Sequence, residues 1–237
     1  MQSSISLIIS AYNEDTIIED CVYACIAGLS KHFTDYEIIL INDASTDRTG
    51  QLIDSLATSH QNIIVHHNTE NQNMGESIQF GMLIASKDYI SFNAADLPFD
   101  PSLYKEIIDK NPDADMIVVE RKKYSGTTTK RRLLSLINRA LMFLFFPRLK
   151  KDLKDTNYLQ IIRKPAILKI IPMAQGPIFT WPEMIFRARR LGMSVVTAEA
   201  EYEPMHIRKG AFGKPRDILQ ALGEMLRFRW LLWRGKI

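Results

Sequence analysis

The stretch Tyr36 to Gly50, YEIILINDASTDRTG, constrains the fold of this chain most. Glu37 to Ile41 is a short apolar run of strand length. Asn42, Asp43, Ser45 and Asp47 follow at once, and Thr46 or Asp47 is placed to cap a helix starting near Arg48. In an open α/β sheet, ligands bind just beyond the carboxyl ends of the strands. Acceptor side chains at such a place suit the N–H groups of a base and the hydroxyls of a ribose. An ordinary capped turn has the same outline, so the other strand ends carry the decision.

Two of them repeat the pattern. Ile5 to Ile9 leads into Ser10-Ala11-Tyr12-Asn13-Glu14, and Tyr89 to Phe92 leads into Asn93-Ala94-Ala95-Asp96-Leu97. Between them lies Asn73-Met74-Gly75-Glu76-Ser77. Together the four segments resemble the family 2 glycosyltransferases of the GT-A type, in order and spacing, over roughly residues 4 to 100. IISAYNE is similar to the family's opening strand and turn, and NDASTD to its Asp-Asp-x-Ser-x-Asp nucleotide site. NMGESIQFG is similar to its Asn-x-Gly helix start, and NAADL to its Asp-x-Asp-Leu metal turn. The resemblance implies a nucleotide-sugar donor, UDP- or GDP-linked. Ser10, Tyr12, Asn13, Glu14, Asp43, Ser45, Asn73, Gly75 and Ala95 are its expected contacts, with Asp43 facing the base and Asp47 capping.

The second half narrows the resemblance to the polyprenyl-phosphate sugar transferases, the group of dolichyl-phosphate mannose and glucose synthases. Asp155-Thr156 precedes the segment Tyr158 to Arg163, Glu183 opens EMIFRARRLGMSVV, and Arg208, Gly210, Gly213 and Lys214 stand where that group has Arg-x-x-Gly-x-Ser-Lys, without the Ser. By this resemblance Arg208 is directed at the diphosphate, Glu183 is an acidic helix position able to act as a base toward a hydroxyl, and transfer proceeds with inversion. Catalytic candidates are thus Asp96, Arg208 and Glu183.

Ala94 departs from the metal turn, where the family has Asp, and only Asp96 remains as a ligand. Mg²⁺ and Mn²⁺ want several oxygen ligands, and Asn93 is expected on the opposite face of the strand. A cation is therefore expected to bind weakly unless the diphosphate supplies most ligands. Metal use through Asp96 alone, metal-free transfer and loss of catalysis all remain open.

Charge is divided unevenly. Residues 1–120 carry 5 Lys and Arg against 19 Asp and Glu, whereas residues 121–237 carry 25 against 8. Residues 121–151 hold ten basic residues and no acid. Such a patch marks an anionic partner, and with no nucleic-acid motif and an acidic first half, nucleic acid is a poor one. Arg131, Arg132, Arg139 and Lys214 are the candidates to hold the phosphate of a polyprenyl acceptor. Leu133, Leu136, Ile137, Ala140, Phe143 and Leu144 fall at helical spacing beside them. That helix, ending at Pro147, is too short to span a bilayer and fits a membrane interface; a core helix with a solvated basic face is the competing reading. Met225 to Lys236, with Trp230 and Trp233 among arginines, is a second interfacial candidate.

The length of 237 residues suits one α/β domain, and 46% hydrophobic with 24% charged residues excludes disorder. Cys21 and Cys25 read as core residues on one helix face. His66 and His67 read as a solvated strand end. The start MQSSISLIIS has no basic region or long apolar run, so no signal peptide is expected. A cytoplasmic, peripheral membrane protein is expected.

Strands are expected near 4–10, 36–42, 62–67, 88–93, 114–119, 158–163 and 193–197. Helices are expected near 15–31, 48–59, 76–86, 101–110, 130–146, 165–171, 181–191 and 215–233. The alternation predicts a single-domain, Rossmann-like GT-A fold over 1–237, with a mostly parallel sheet flanked by helices. Residues 1–120 form the expected nucleotide-sugar half and 121–237 the acceptor half. Transfer to a hydroxyl of a cell-surface glycan or lipid precursor, and a catalytically weak membrane scaffold, are the alternatives to polyprenyl-phosphate glycosylation.

Overall fold

A computed structural model describes residues 3–124, 136–137, 140–147, 152–171, 179–206 and 215–235. Seven strands form one sheet: β1 (Ile5–Ala11), β2 (Tyr36–Asn42), β3 (Ile63–His67), β4 (Tyr89–Ala94), β5 (Met116–Tyr124), β6 (Leu159–Arg163) and β7 (Val195–Tyr202). Their order is β3-β2-β1-β4-β6-β5-β7, so one sheet runs through both halves of the chain. β6 is antiparallel to both neighbours; every other pairing is parallel.

β1 shows why the centre of the sheet forms here. Its ISLIISA is almost wholly buried, as a strand covered on both faces must be. Leu7 and Ile9 enter one core with Val22, Cys25 and Leu29 of α1 (Ile18–Ser30) and Ile53 of α2 (Thr49–Ser59). Ile8, between them, enters the other core with Ile78 and Met82 of α3 (Asn73–Ile84). Alternate side chains of one strand thus weld two helical layers. α3 crosses so closely that a Cβ at Gly81 would stand 2.6 Å from Ile8 Cγ2.

The remaining helices are α4 (Tyr104–Lys110), entered through a 3-10 turn at Pro101–Leu103, α5 (Lys164–Ile170), α6 (Thr180–Arg190) and α7 (Pro215–Trp233). Of the expected helix 130–146, residues 136–137 and 140–146 are described, and all of these but Phe146 are helical. Met142 and Phe146 turn inward, where Phe146 meets Phe179, Phe186 and Phe228. Leu136, Ile137, Phe143 and Leu144 are exposed. The described part of the predicted apolar stripe therefore faces outward.

Boundaries differ from expectation mainly in three places, of which β5 is one, running from Met116 to Tyr124 against the expected 114–119. α3 begins at Asn73, three residues early, because Asn73 takes a left-handed φ of 68° and opens the helix itself. β7 runs from Val195 to Tyr202 against the expected 193–197, since its parallel pairing with β5 extends to Tyr124↔Tyr202. An edge strand continues on backbone hydrogen bonds after the apolar run has ended.

Candidate active site

Register alone brings the three predicted strand ends together. β1 pairs Ala11 with Asn42 of β2 and Ser10 with Ala94 of β4. The Asp43 N–H then donates to the Ala11 carbonyl at 2.9 Å.

Beyond that point the first two turns zip together. Asn13 N–H donates to Ser45 Oγ at 3.0 Å, and Asn13 Oδ1 accepts from Thr46 N at 2.8 Å. Glu14 N–H donates to Thr49 Oγ1 at 2.8 Å. Asp47 accepts from Asp15 N at 3.2 Å and from the N–H of Thr49, the first residue of α2, at 2.9 Å, from one residue before the N-cap, Arg48. Burial by itself would raise the Asp47 carboxyl, but the hydrogen bonds from Thr49 and Asp15 outweigh it and hold the group below the usual carboxylate range. Asn13 and Ser45, expected donor contacts, thus also build the turn. Tyr12 beside them is 47% exposed.

Asp43 is buried, and its Oδ1 accepts from Asn68 Nδ2 and from Gln72 N, both at 2.8 Å. Asn68 also donates to Ser77 Oγ at 2.9 Å. One carboxylate so ties the end of β3 and the start of α3, with the expected Asn73 and Gly75, to the end of β2. Asn68 was missed by sequence reasoning. Its signal was its place one residue beyond a strand, where Asp43 also stands.

The third turn carries Asp96. Asn93 is buried and its amide donates to the Phe99 carbonyl at 2.8 Å, so it faces away from any ligand, as the strand period predicted. Ala94 and Asp96 are half-buried and Ala95 is buried. The chain returns from β7 along this turn: Met205 N donates to the Asp96 carbonyl at 2.9 Å and Glu203 N to that of Pro98 at 3.1 Å. Tyr158 Oη also reaches the Pro98 carbonyl, at 2.8 Å, and the Tyr158 ring flanks Arg121 opposite Tyr202. Arg121 itself pairs with Asp155 at 2.5 Å. Tyr158 and Arg121 were not singled out from sequence, because their partners lie far apart in the chain, on β5 and β7 and in the loops after β4 and before β6. Arg208 comes two residues after His206, and it lies outside the described residues, as do Arg131, Arg132, Arg139 and Lys214.

Among the described residues, four of the five non-glycine residues with positive φ lie in these turns: Asn13 (55°), Ala44 (59°), Leu97 (48°) and Asn73 (68°). The left-handed region costs an ordinary residue about 1–2 kcal/mol, and such strain gathers at ligand clamps.

Glu183 sits on α6, only 2% exposed, with Arg187 one turn on at 2.6 Å. Arg187 lies over the Phe228 ring at 5.4 Å. Two charges this deep hold each other strongly, so the carboxylate is committed to its arginine. The pairing reading of Glu183 and its expected base role meet in one residue. His66 stacks on Phe80, with ring centroids 4.1 Å apart, and His67 bridges Asn42 and Asp54; His67 is thus bonded, where a merely solvated strand end was expected. Among the described residues no group of three or more His, Cys, Asp or Glu could hold a metal ion. The Asp96 turn offers one carboxylate, which does not make a resident metal site by itself. A groove of about 380 Å³ lined by Asp35, Glu37, Asn62 and Lys87 lies at the other end of β2, away from these turns.

A mostly parallel sheet with helices on both faces and polar turns gathered at its carboxyl edge defines a GT-A-type glycosyltransferase fold. Residues 6–172 match the model of glycosyl transferase family 2, and the chain belongs to that family. Glycosyltransferase AglD of Haloferax volcanii is 24% identical over 234 residues, which are 96% of this chain and 37% of AglD. An uncharacterised glycosyltransferase of Synechocystis is 33% identical over 135 residues, 54% of this chain and 41% of that protein. The chain therefore spans less than half the length of the curated relatives it matches. Glucosyl-3-phosphoglycerate synthase from Mycobacterium tuberculosis, in complex with Mn²⁺, UDP and phosphoglyceric acid, superposes with a TM-score of 0.69 at 19% identity, over 96% of this chain and 78% of that one. The same enzyme with Mg²⁺ and UDP gives 0.67 at 18% identity, over 95% of this chain and 79% of that one. These likenesses establish the fold.

Proposed function

We propose that this chain transfers a hexose from a UDP- or GDP-sugar to a polyprenyl phosphate at a membrane surface, with inversion. The observation carrying the lipid part is the outward apolar face. Phe143 and Leu144 are 68% and 70% exposed, and Trp233 is 81% exposed among the exposed Arg227, Arg229 and Arg234. Exposed aromatics beside cations suit a lipid interface. No helix among the described residues is long and apolar enough to cross a membrane, so contact with the bilayer is peripheral in this reading.

The strand-end turns hold the nucleotide, with Tyr12, Asn13, Asp43 and Ser45 around base and ribose and Asn73 and Gly75 beside them. Asp96 and Arg208 meet the diphosphate. Mg²⁺ or Mn²⁺, which the mycobacterial enzyme holds together with UDP, enters here only with the donor, because the described turn contributes a single carboxylate. When bound, the cation neutralises charge on the departing diphosphate. The acceptor phosphate is already ionised near neutral pH and needs positioning more than a base. Arg131, Arg132, Arg139 and Lys214 supply that positioning. The phosphate oxygen attacks the anomeric carbon opposite the nucleotide, the C–O bond to the diphosphate breaks, and configuration inverts. Glu183, held by Arg187, would serve as base only for a hydroxyl acceptor. That second reading is favoured by phosphoglyceric acid in the mycobacterial complex.

The test presents labelled UDP- and GDP-sugars with polyprenyl phosphate and with phosphoglycerate, in Mn²⁺, Mg²⁺ or EDTA. A labelled lipid supports the proposal; label only on phosphoglycerate, or on neither, overturns the acceptor. Ala94→Asp is expected to raise the metal-dependent rate. Arg131→Ala with Arg132→Ala is expected to impair lipid use more than nucleotide binding.

A further inference from the structure

His67 closes a chain of hydrogen bonds that ends inside the nucleotide turns. Its Nε2 lies 3.0 Å from Asp54 Oδ1 of α2, and its Nδ1 lies 2.9 Å from Asn42 Nδ2. Asn42 is buried, and its Oδ1 accepts from the Ser45 backbone N–H at 3.0 Å. Ser45 Oγ in turn receives the Asn13 N–H. A backbone N–H can only donate, so the Asn42 amide has one satisfactory orientation, with oxygen toward Ser45 and nitrogen toward His67. His67 Nδ1 must then accept, and the ring proton sits on Nε2, facing Asp54. Among the described residues Asp54 is the one charged group bonded to the ring. Gly50 presses on the same amide: a Cβ there would stand 3.0 Å from Asn42 Nδ2.

We propose that His67 is a positioning residue for the nucleotide site, holding the turn Asp43 to Thr46 through Asn42 only while its Nδ1 is unprotonated. The inference rests on the nucleotide reading of those turns and adds a proton dependence to it. A second proton on the ring sets two donors face to face at the Asn42 contact. Rotating the amide by half a turn relieves that contact and moves the conflict to the Ser45 N–H. Either way one bond of the relay is lost, and Ser45 and Asn13 lose their fixed places. Asp54 pulls in the opposite sense, since it stabilises the charged ring. A proton on Nδ1 therefore weakens nucleotide binding.

The experiment titrates UDP and GDP onto wild type, His67→Gln and Gly50→Ala between about pH 8 and pH 5.5. The Ser45 amide signal is followed by NMR over the same range without nucleotide. Wild type is expected to lose about tenfold in affinity toward the acid end, the equivalent of one hydrogen bond, with the Ser45 amide moving in step with His67. His67→Gln, which keeps an acceptor but cannot titrate, should flatten both profiles. Gly50→Ala should weaken binding at all pH values, leaving kcat less changed than KM. An acid limb that survives in His67→Gln, or a Ser45 amide indifferent to His67, overturns the relay. If neither UDP nor GDP binds wild type, the nucleotide reading fails, and the amide titration still decides the relay.

Discussion

The two ends of this sheet are built from similar residues and do opposite things. At the amino end, polar side chains close on one another. Glu37 accepts from Ser6 Oγ, Ser86 N and Ser86 Oγ, each at 2.7 Å, and Ser4 and Asp88 exchange bonds at 2.8 and 3.0 Å. Among the described residues, the non-glycine left-handed residues at strand ends gather at the other edge, in the turns after β1, β2 and β4 and at the start of α3. There the polar groups hold turns in place and leave Tyr12 and Asn13 open to solvent. A satisfied network buries its polarity and gains stability. A strained one spends stability to hold a shape, which is worthwhile only where something binds.

The sharpest break of this comparison is Glu37→Leu. It leaves the Ser6 and Ser86 donors without their acceptor and should cost about 3 kcal/mol, read by urea denaturation, with nucleotide affinity unchanged. Equal losses of stability and affinity would mean that the two ends are not separate. Asp43→Asn is the counterpart at the carboxyl edge. It should weaken UDP or GDP binding by about tenfold or more, as expected for loss of a charged acceptor, with a smaller effect on stability. Ala44→Gly relieves left-handed strain. It should gain up to about 1 kcal/mol in stability while lowering transfer activity, and a loss of stability would refute the account of strain. The smallest effect is at Asp47, whose folded carboxyl lies below its ordinary value. Its contribution is present above the unfolded pKa and is lost as pH falls through the folded one. Asp47→Asn should therefore narrow the difference in urea midpoint between about pH 6 and pH 3 relative to wild type.

The same contrast separates what was legible in the chain from what was not. The three polar strand ends could be read directly, because a buried strand must be apolar and its side chains change character where it leaves the core. Their meeting in one site follows from parallel pairing. The Asn68 contact to Asp43 could not be read, since hydrogen bonds between side chains 25 residues apart leave no periodic trace. The outward apolar stripe of residues 136–144 is an intermediate case. Helical spacing gave the stripe, but a stripe looks the same whether it faces a core or a bilayer.

Local chemistry in the sequence by itself determined the elements, their alternation, the positions of the polar turns and the family they resemble. It also determined that Ala94 removes a ligand, since no folding can supply an oxygen to a methyl group. Only the tertiary structure decided that Asn13 and Ser45 bind each other, that the chain after β7 runs against the Asp96 turn, and that His67 is wired to the turn at Ser45. Those outcomes depend on distance between groups far apart in the chain. Strand register and helix crossing set that distance, and neither is encoded within a few neighbouring residues.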